Sequence, residues 1–104
     1  MRIYTTPTLS LKVKGVDIHS ASYVYVTFYN NGKVILTKEK ADISMSVSGS
    51  DTLIDVALSQ SESRYFKPDS SASVQVNWMN GTTRAATEIV DFTVKDNLLK
   101  EVKP

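Results

Sequence analysis

Apolar side chains recur at every second position through most of this chain, and that spacing constrains the fold more than any other feature. Leu9, Leu11 and Val13 alternate with Ser10, Lys12 and Lys14. Val24, Val26 and Phe28 alternate with Tyr23, Tyr25, Thr27 and Tyr29. Ile43, Met45 and Val47 alternate with serines, and Val74, Val76 and Trp78 with Gln75 and Asn77. A period of two belongs to strands with one buried face. Val, Ile and Thr supply 28 of the 104 residues, and β-branched side chains suit a pleated surface. No window holds helical periodicity for three turns.

Turn residues cut these runs at short intervals. Asn31-Gly32 separates Tyr29 from Val34. A two-residue loop there pairs Phe28 with Ile35 and Val26 with Thr37. A three-residue loop, Asn30-Asn31-Gly32, pairs Phe28 with Val34 and Val26 with Leu36. The second register gathers the apolar residues on one face and is preferred, with a type I turn and a glycine bulge. Asn80-Gly81 predicts a type I′ hairpin with Trp78 opposite Thr83 and Val76 opposite Ala85. Ala85 then faces inward, yet Val90, Phe92 and Val94 must also face inward at an odd separation. A bulge between Thr87 and Val90 resolves the parity. Ser59-Gln60-Ser61-Glu62 fits a capping box for one helical turn, stopped by Pro68, with Tyr65 or Phe66 plugging the end of the core.

The expected strands are 2–14 (kinked at Pro7), 22–30, 33–39, 42–48, 52–58, 72–79 and 82–95. Even spacing with turn signals and no long helix reads as all-β. The specific expectation is an antiparallel immunoglobulin-like β-sandwich of about seven strands, with Trp78 at the centre. At 11.5 kDa, residues 1–104 make one domain. Met1–Leu11 shows no signal-peptide pattern, and no run approaches the ~20 apolar residues of a membrane helix. A soluble chain that starts in a cytoplasm, with no membrane partner, is expected.

Chemistry-bearing residues are sparse. Cysteine is absent, which removes disulfides, thiolate metal sites and cysteine nucleophiles. The formal charge of +1 argues against a nucleic-acid partner. His19, the one imidazole, lies near Asp17, Ser20 and Ser22, but neighbouring loop residues rarely supply the separate positions a triad needs. Asp17, Asp51 and Asp69 have the placing of turn formers and give no metal-ligand spacing. Asp55, Glu88 and Asp91 fit a solvated sheet face. No enzyme, cofactor or metal site is expected.

Binding surfaces are the better prospect. Tyr23, Tyr25 and Tyr29 line the outward face of one strand, with Ile35 expected beside them. Such a row can bury in a protein interface, stack on sugars or bases, or simply cover its neighbours. Leu98, Leu99 and Val102 follow the last expected strand. They are expected either to cover the bottom of the sandwich or to bind a neighbouring subunit. These seven residues are the interface candidates, and a homo-oligomer is expected.

Several segments carry a resemblance. They are Thr5-Thr6-Pro7-Thr8-Leu9, Val24-Tyr25-Val26-Thr27-Phe28, and Val56-Ala57-Leu58-Ser59-Gln60-Ser61-Glu62 running into Phe66. Val74-Gln75-Val76-Asn77-Trp78, Gly81-Thr82 and Leu98-Leu99 complete the set. Together they resemble small tail and baseplate proteins of phages and prophages of Gram-positive gut bacteria. They are similar in particular to the N-terminal domain of phage upper baseplate proteins. The resemblance implies a structural, non-enzymatic virion component that contacts other copies of itself or other tail proteins. It supplies no catalytic residues. Upper baseplate proteins continue into a fibre-forming region where this sequence reaches Pro104, so an adaptor or accessory tail protein fits as well. A carbohydrate-binding or adhesin-like sandwich is the alternative that the tyrosine row permits.

Overall fold

The alternation resolves into two antiparallel sheets in a computed structural model that describes every residue except Glu88. The strands are β1 (Thr8–Val13), β2 (Tyr23–Asn30), β3 (Lys33–Glu39), β4 (Ser44–Ser48), β5 (Asp51–Ala57), β6 (Ser70–Asn80), β7 (Thr83–Ala86) and β8 (Val90–Val94). The smaller sheet runs β1-β5-β4. The larger runs β3-β2-β6, with both β7 and β8 paired to the far side of β6. Val13, Ile54 and Val56 from the first sheet meet Val24, Val26, Phe28, Val74, Val76 and Val94 from the second in one buried core. The arrangement is all-β and sandwich-like. No described helix is long and apolar enough to cross a membrane.

The core is aromatic at one end. Phe28 meets Phe66 edge-on at 5.9 Å between centroids and Phe92 at 6.2 Å, and Phe66 lies 5.8 Å from Phe92. Phe66 is thus the plug, while Tyr65 stays exposed under the Arg64 guanidinium. Trp78 does not fill the centre. It is half-buried beside an opening between the sheets of about 470 Å³, with Lys12, Val16 and Val90 around it. β1 and the β7–β8 edge belong to different sheets, and among the described residues no strand closes the gap between them. Val90 faces the same gap and is exposed for that reason. Ile18, fully buried, enters the core from the β1–β2 loop. The Thr52 hydroxyl holds it there, accepting from the Ile18 amide at 3.0 Å and donating to the Val16 carbonyl at 2.8 Å.

Both hairpin registers differ from expectation. Tyr29 pairs with Val34 and Asn30 with Lys33, so the loop is Asn31-Gly32 alone. Both residues have positive φ, 53° and 81°, the type I′ signature that Asn and Gly tolerate. The register then shifts by one, and Phe28 pairs with Leu36 and Val26 with Lys38. Ile35 is the extra residue. It follows Val34 on the side away from the tyrosines, and the bulge lets Leu36 pack beside it against the core. In the second hairpin Asn80 pairs with Thr83, so Gly81-Thr82 makes the loop and Trp78 faces Ala85. Gly81 at φ 65° takes the first central position, as a type II′ turn requires.

The expected last strand divides. Asn77 pairs with Ala86 and Val74 with Val90, so four residues on the outer strands span three on β6. One residue is extra between Ala86 and Val90, where a bulge was expected; Glu88 itself lies outside the described residues. The first expected strand divides too. Met1–Ile3 runs parallel to the end of β8, with the Ile3 amide donating to the Lys95 carbonyl at 3.1 Å. After Pro7 the chain crosses to the other sheet as β1. A residue with no N–H cannot continue a ladder, so the break falls there.

The capping box forms as read. The Ser59 hydroxyl accepts from the Glu62 amide, and the Glu62 carboxylate accepts from the Ser59 amide at 2.9 Å, starting α1 (Gln60–Ser63). Glu62 also takes the Lys38 ammonium at 2.7 Å, tying α1 to β3. Burial pushes the Glu62 carboxyl up, but bonds from Lys38 and Ser59 outweigh it and hold the carboxyl below its ordinary 4.5. A carboxyl with a lowered folded pKa stabilises above that ordinary value, and its contribution fades as pH falls below it. Glu62→Gln should therefore cost about 1 kcal/mol in urea unfolding at pH 7. The gap to the parent should shrink at pH 3. A gap of equal size at both pH values would show that the charge contributes nothing.

Candidate protein-interaction surface

The outer face of the larger sheet follows directly from the β2 alternation. Val24, Val26, Phe28 and Asn30 are buried, which leaves Tyr23, Tyr25, Thr27 and Tyr29 on the other side. Pairing arranges their neighbours in rows. Tyr25 lies between Glu39 and Asn77, Thr27 between Thr37 and Gln75, and Tyr29 between Val34 and Ser73. Tyr23 faces Met79, which faces Arg84. The middle of this face therefore carries hydroxyls, amides and apolar carbons, and its charges stand at the margins.

Two features stand out on it. Tyr23 and Tyr25 stack with planes 7° apart and centroids 6.3 Å apart. Further along, Tyr29, Val34 and Ile89 frame a shallow depression of about 280 Å³ floored by Thr27, Ser73 and Gln75. Val34 and Ile89 are 59% and 64% exposed, more than large aliphatic side chains usually are on a sheet. Neither was an interface candidate. Val34 takes the place expected of Ile35, because the two-residue loop pairs it with Tyr29. Only the register shows that.

The tail stands apart from the tyrosines. Leu98 is fully exposed, and Leu99 and Val102 are about half exposed. They do not cover the end of the core. The segment is held by backbone and amide contacts: the Asn97 side chain donates to the Ile3 carbonyl at 3.2 Å, and the Lys103 amide to the Gln60 side chain at 2.8 Å. It borders a depression shared with Tyr4, Thr5 and Thr6. The seven candidates thus divide into a tyrosine face, a separate tail and one partly buried residue packed against the core.

Glu39, Arg84 and Asp91 are the charged groups at the margins of the tyrosine face, and the other described acidic groups and the histidine lie away from it. His19 is exposed in the β1–β2 loop, where the Asp17 carboxylate accepts from the His19 backbone amide at 2.9 Å and so shapes a turn. Asp51 accepts from the Gly15 amide, and that bond, with Lys12 nearby, lowers its pKa. Asp55 and Asp91 stand on outer faces of different sheets, accepting from Ser10 and Ser73, each at 2.7 Å. Among the described residues no three potential ligands gather around a metal-sized site. The chain matches no protein-family model, no curated protein and no solved structure.

Proposed function

We propose that this chain is a non-enzymatic structural module with an immunoglobulin-like fold, which acts by protein–protein contact within a phage or prophage tail or baseplate. The virion assignment rests on the sequence resemblance. The mode of action rests on one observation: a sheet face that carries Tyr23, Tyr25, Tyr29 and Met79, with the exposed Val34 and Ile89 beside them and the charges at its margins. Charge-depleted, tyrosine-rich centres with polar margins are the composition of protein interfaces. Exposed aliphatics gathered on one face are the pattern of interaction sites. Other copies of the chain, or other tail proteins, are the expected partners.

The double substitution Tyr25→Ser, Tyr29→Ser tests this. Interface tyrosines typically contribute ~1–2 kcal/mol each, so removing two should weaken association ~30–1,000-fold. Both side chains project outward, so the unfolding midpoint should hold. Sedimentation of parent and variant, alone and mixed with tail proteins encoded nearby, reads the result. A parent that stays monomeric at high concentration and binds none of those proteins overturns the proposal. Binding of a glycan array through the same tyrosines would replace it with the carbohydrate-binding alternative.

A further inference from the structure

A sheet edge exposes unpaired backbone groups, and proteins usually blunt such edges with charge, proline or bulges. Three of the four edges here carry such devices. β1 follows Pro7 and carries Lys12. β3 has the Ile35 bulge with Lys33, Lys38 and Glu39. The β7–β8 edge is broken by its register shift and bears Arg84 and Asp91. β4 has none of them. Ser44-Met45-Ser46-Val47-Ser48 contains no charge, proline or glycine, and it pairs with β5 in unbroken register from Ser44↔Asp55 to Ser48↔Asp51. Among the described residues its serine hydroxyls make no hydrogen bond.

The strand is also its own complement. Turned end for end about Ser46, it sets Ser44 against Ser48, Met45 against Val47, and Ser46 against itself. Apolar meets apolar on one face and serine meets serine on the other. Met45 and Val47 project to the inner face, yet Val47 is 47% exposed, because β4 is the last strand of its sheet. A second β4 alongside would place its own Met45 against that Val47.

We propose that β4 is a self-association edge. Two copies pair antiparallel about a two-fold axis at Ser46, joining their smaller sheets into one six-stranded sheet. A two-fold perpendicular to a sheet produces antiparallel pairing, with like faces on the same side. The contact is short, far below the ~1,600 Å² of a standard interface, so the dimer forms at concentrations on the order of 100 μM. It lies on the opposite sheet from the tyrosine face and stands whether or not that face binds anything.

The chain has no cysteine, so a single introduced thiol reports register without background. Paired residues on adjacent antiparallel strands lie about 4.5–5.5 Å apart at Cα, within disulfide reach. Ser46→Cys should form a disulfide-linked dimer under mild oxidation. Ser44→Cys and Ser48→Cys should each stay monomeric alone and crosslink when mixed. In the Tyr25→Ser, Tyr29→Ser background, Ser46→Lys should abolish the dimer seen by sedimentation, with an unchanged unfolding midpoint. Tyr25→Ser with Tyr29→Ser, combined with Ser46→Cys, should crosslink as before, which separates this contact from the tyrosine face. Failure of Ser46→Cys to crosslink, equal crosslinking at all three positions, or a dimer that survives Ser46→Lys in the tyrosine-substituted background overturns the proposal.

Discussion

Replacing Phe28 with alanine should remove ~3–5 kcal/mol of stability, the usual cost of truncating a phenylalanine in a close-packed core. Phe28 has no exposed surface, and its strand lies inside the larger sheet with β3 on one side and β6 on the other. Its ring is the common partner of Phe66, which arrives from the loop after α1, and Phe92, which arrives from β8. Truncation therefore leaves a cavity bounded by β2, β8 and the α1–β6 connection, and breaks both edge-on ring pairs at once. Domains of this size hold only ~5–15 kcal/mol in total, so the variant should unfold at far lower urea and melt many degrees lower. Phe28→Leu should recover a large part of the loss. Trp78→Ala should cost less than Phe28→Ala, because the indole is only partly buried beside the opening between the sheets. If Trp78→Ala proves the more damaging of the two, the core is centred at the other end of the molecule.

What the sequence conveyed follows from what is local. Alternation is written in consecutive residues, so the inward set of β2 and the outward tyrosines could be read directly. So could the Ser59–Glu62 cap, where both partners lie within one turn. Register is different, since it depends on which side chains meet across the sheet. Asn31-Gly32 announced a hairpin correctly, yet a loop of two residues and not three exchanged Ile35 for Val34 on the outer face, and the bulge then returned Leu36 to the inner one. The same limit hid Ile18, an apolar residue in a polar loop whose burial depends on the distant Thr52 hydroxyl. Pro7 marked a break without revealing that the segment before it joins the opposite sheet. The β4 repeat of serine and apolar residues was visible, but its meaning needed the topology that leaves it at an edge.

Asn30 carries the other large effect, and no hydrophobic pattern points to it. Beside Asn31-Gly32 it reads as a turn residue, yet it is the last residue of β2 and 1% exposed. Its side-chain oxygen accepts from the Lys67 amide at 2.7 Å. Its amide nitrogen donates to the Ser70 hydroxyl at 3.0 Å and the Ser71 carbonyl at 3.1 Å. One side chain thus fastens the α1–β6 connection, just after Phe66, to the end of the central strand. Asn30→Asp keeps the shape and the acceptor for Lys67. It loses both donors, and it sets an anionic oxygen against the Ser71 carbonyl in a buried place. Burial without a partner raises a carboxyl's folded pKa, so the ionised form is penalised only in the folded chain. The penalty is absent below the unfolded value of ~3.9, where protonation restores one donor, and grows as pH rises above it. At pH 7 the variant should be ~2–4 kcal/mol less stable than the parent, the range for a buried charge or polar group left unpaired. Near pH 3.5 the difference should fall to a small fraction of that. Urea unfolding at both pH values measures it, and a difference of equal size at both would mean that the ionised carboxylate carries no penalty at this site.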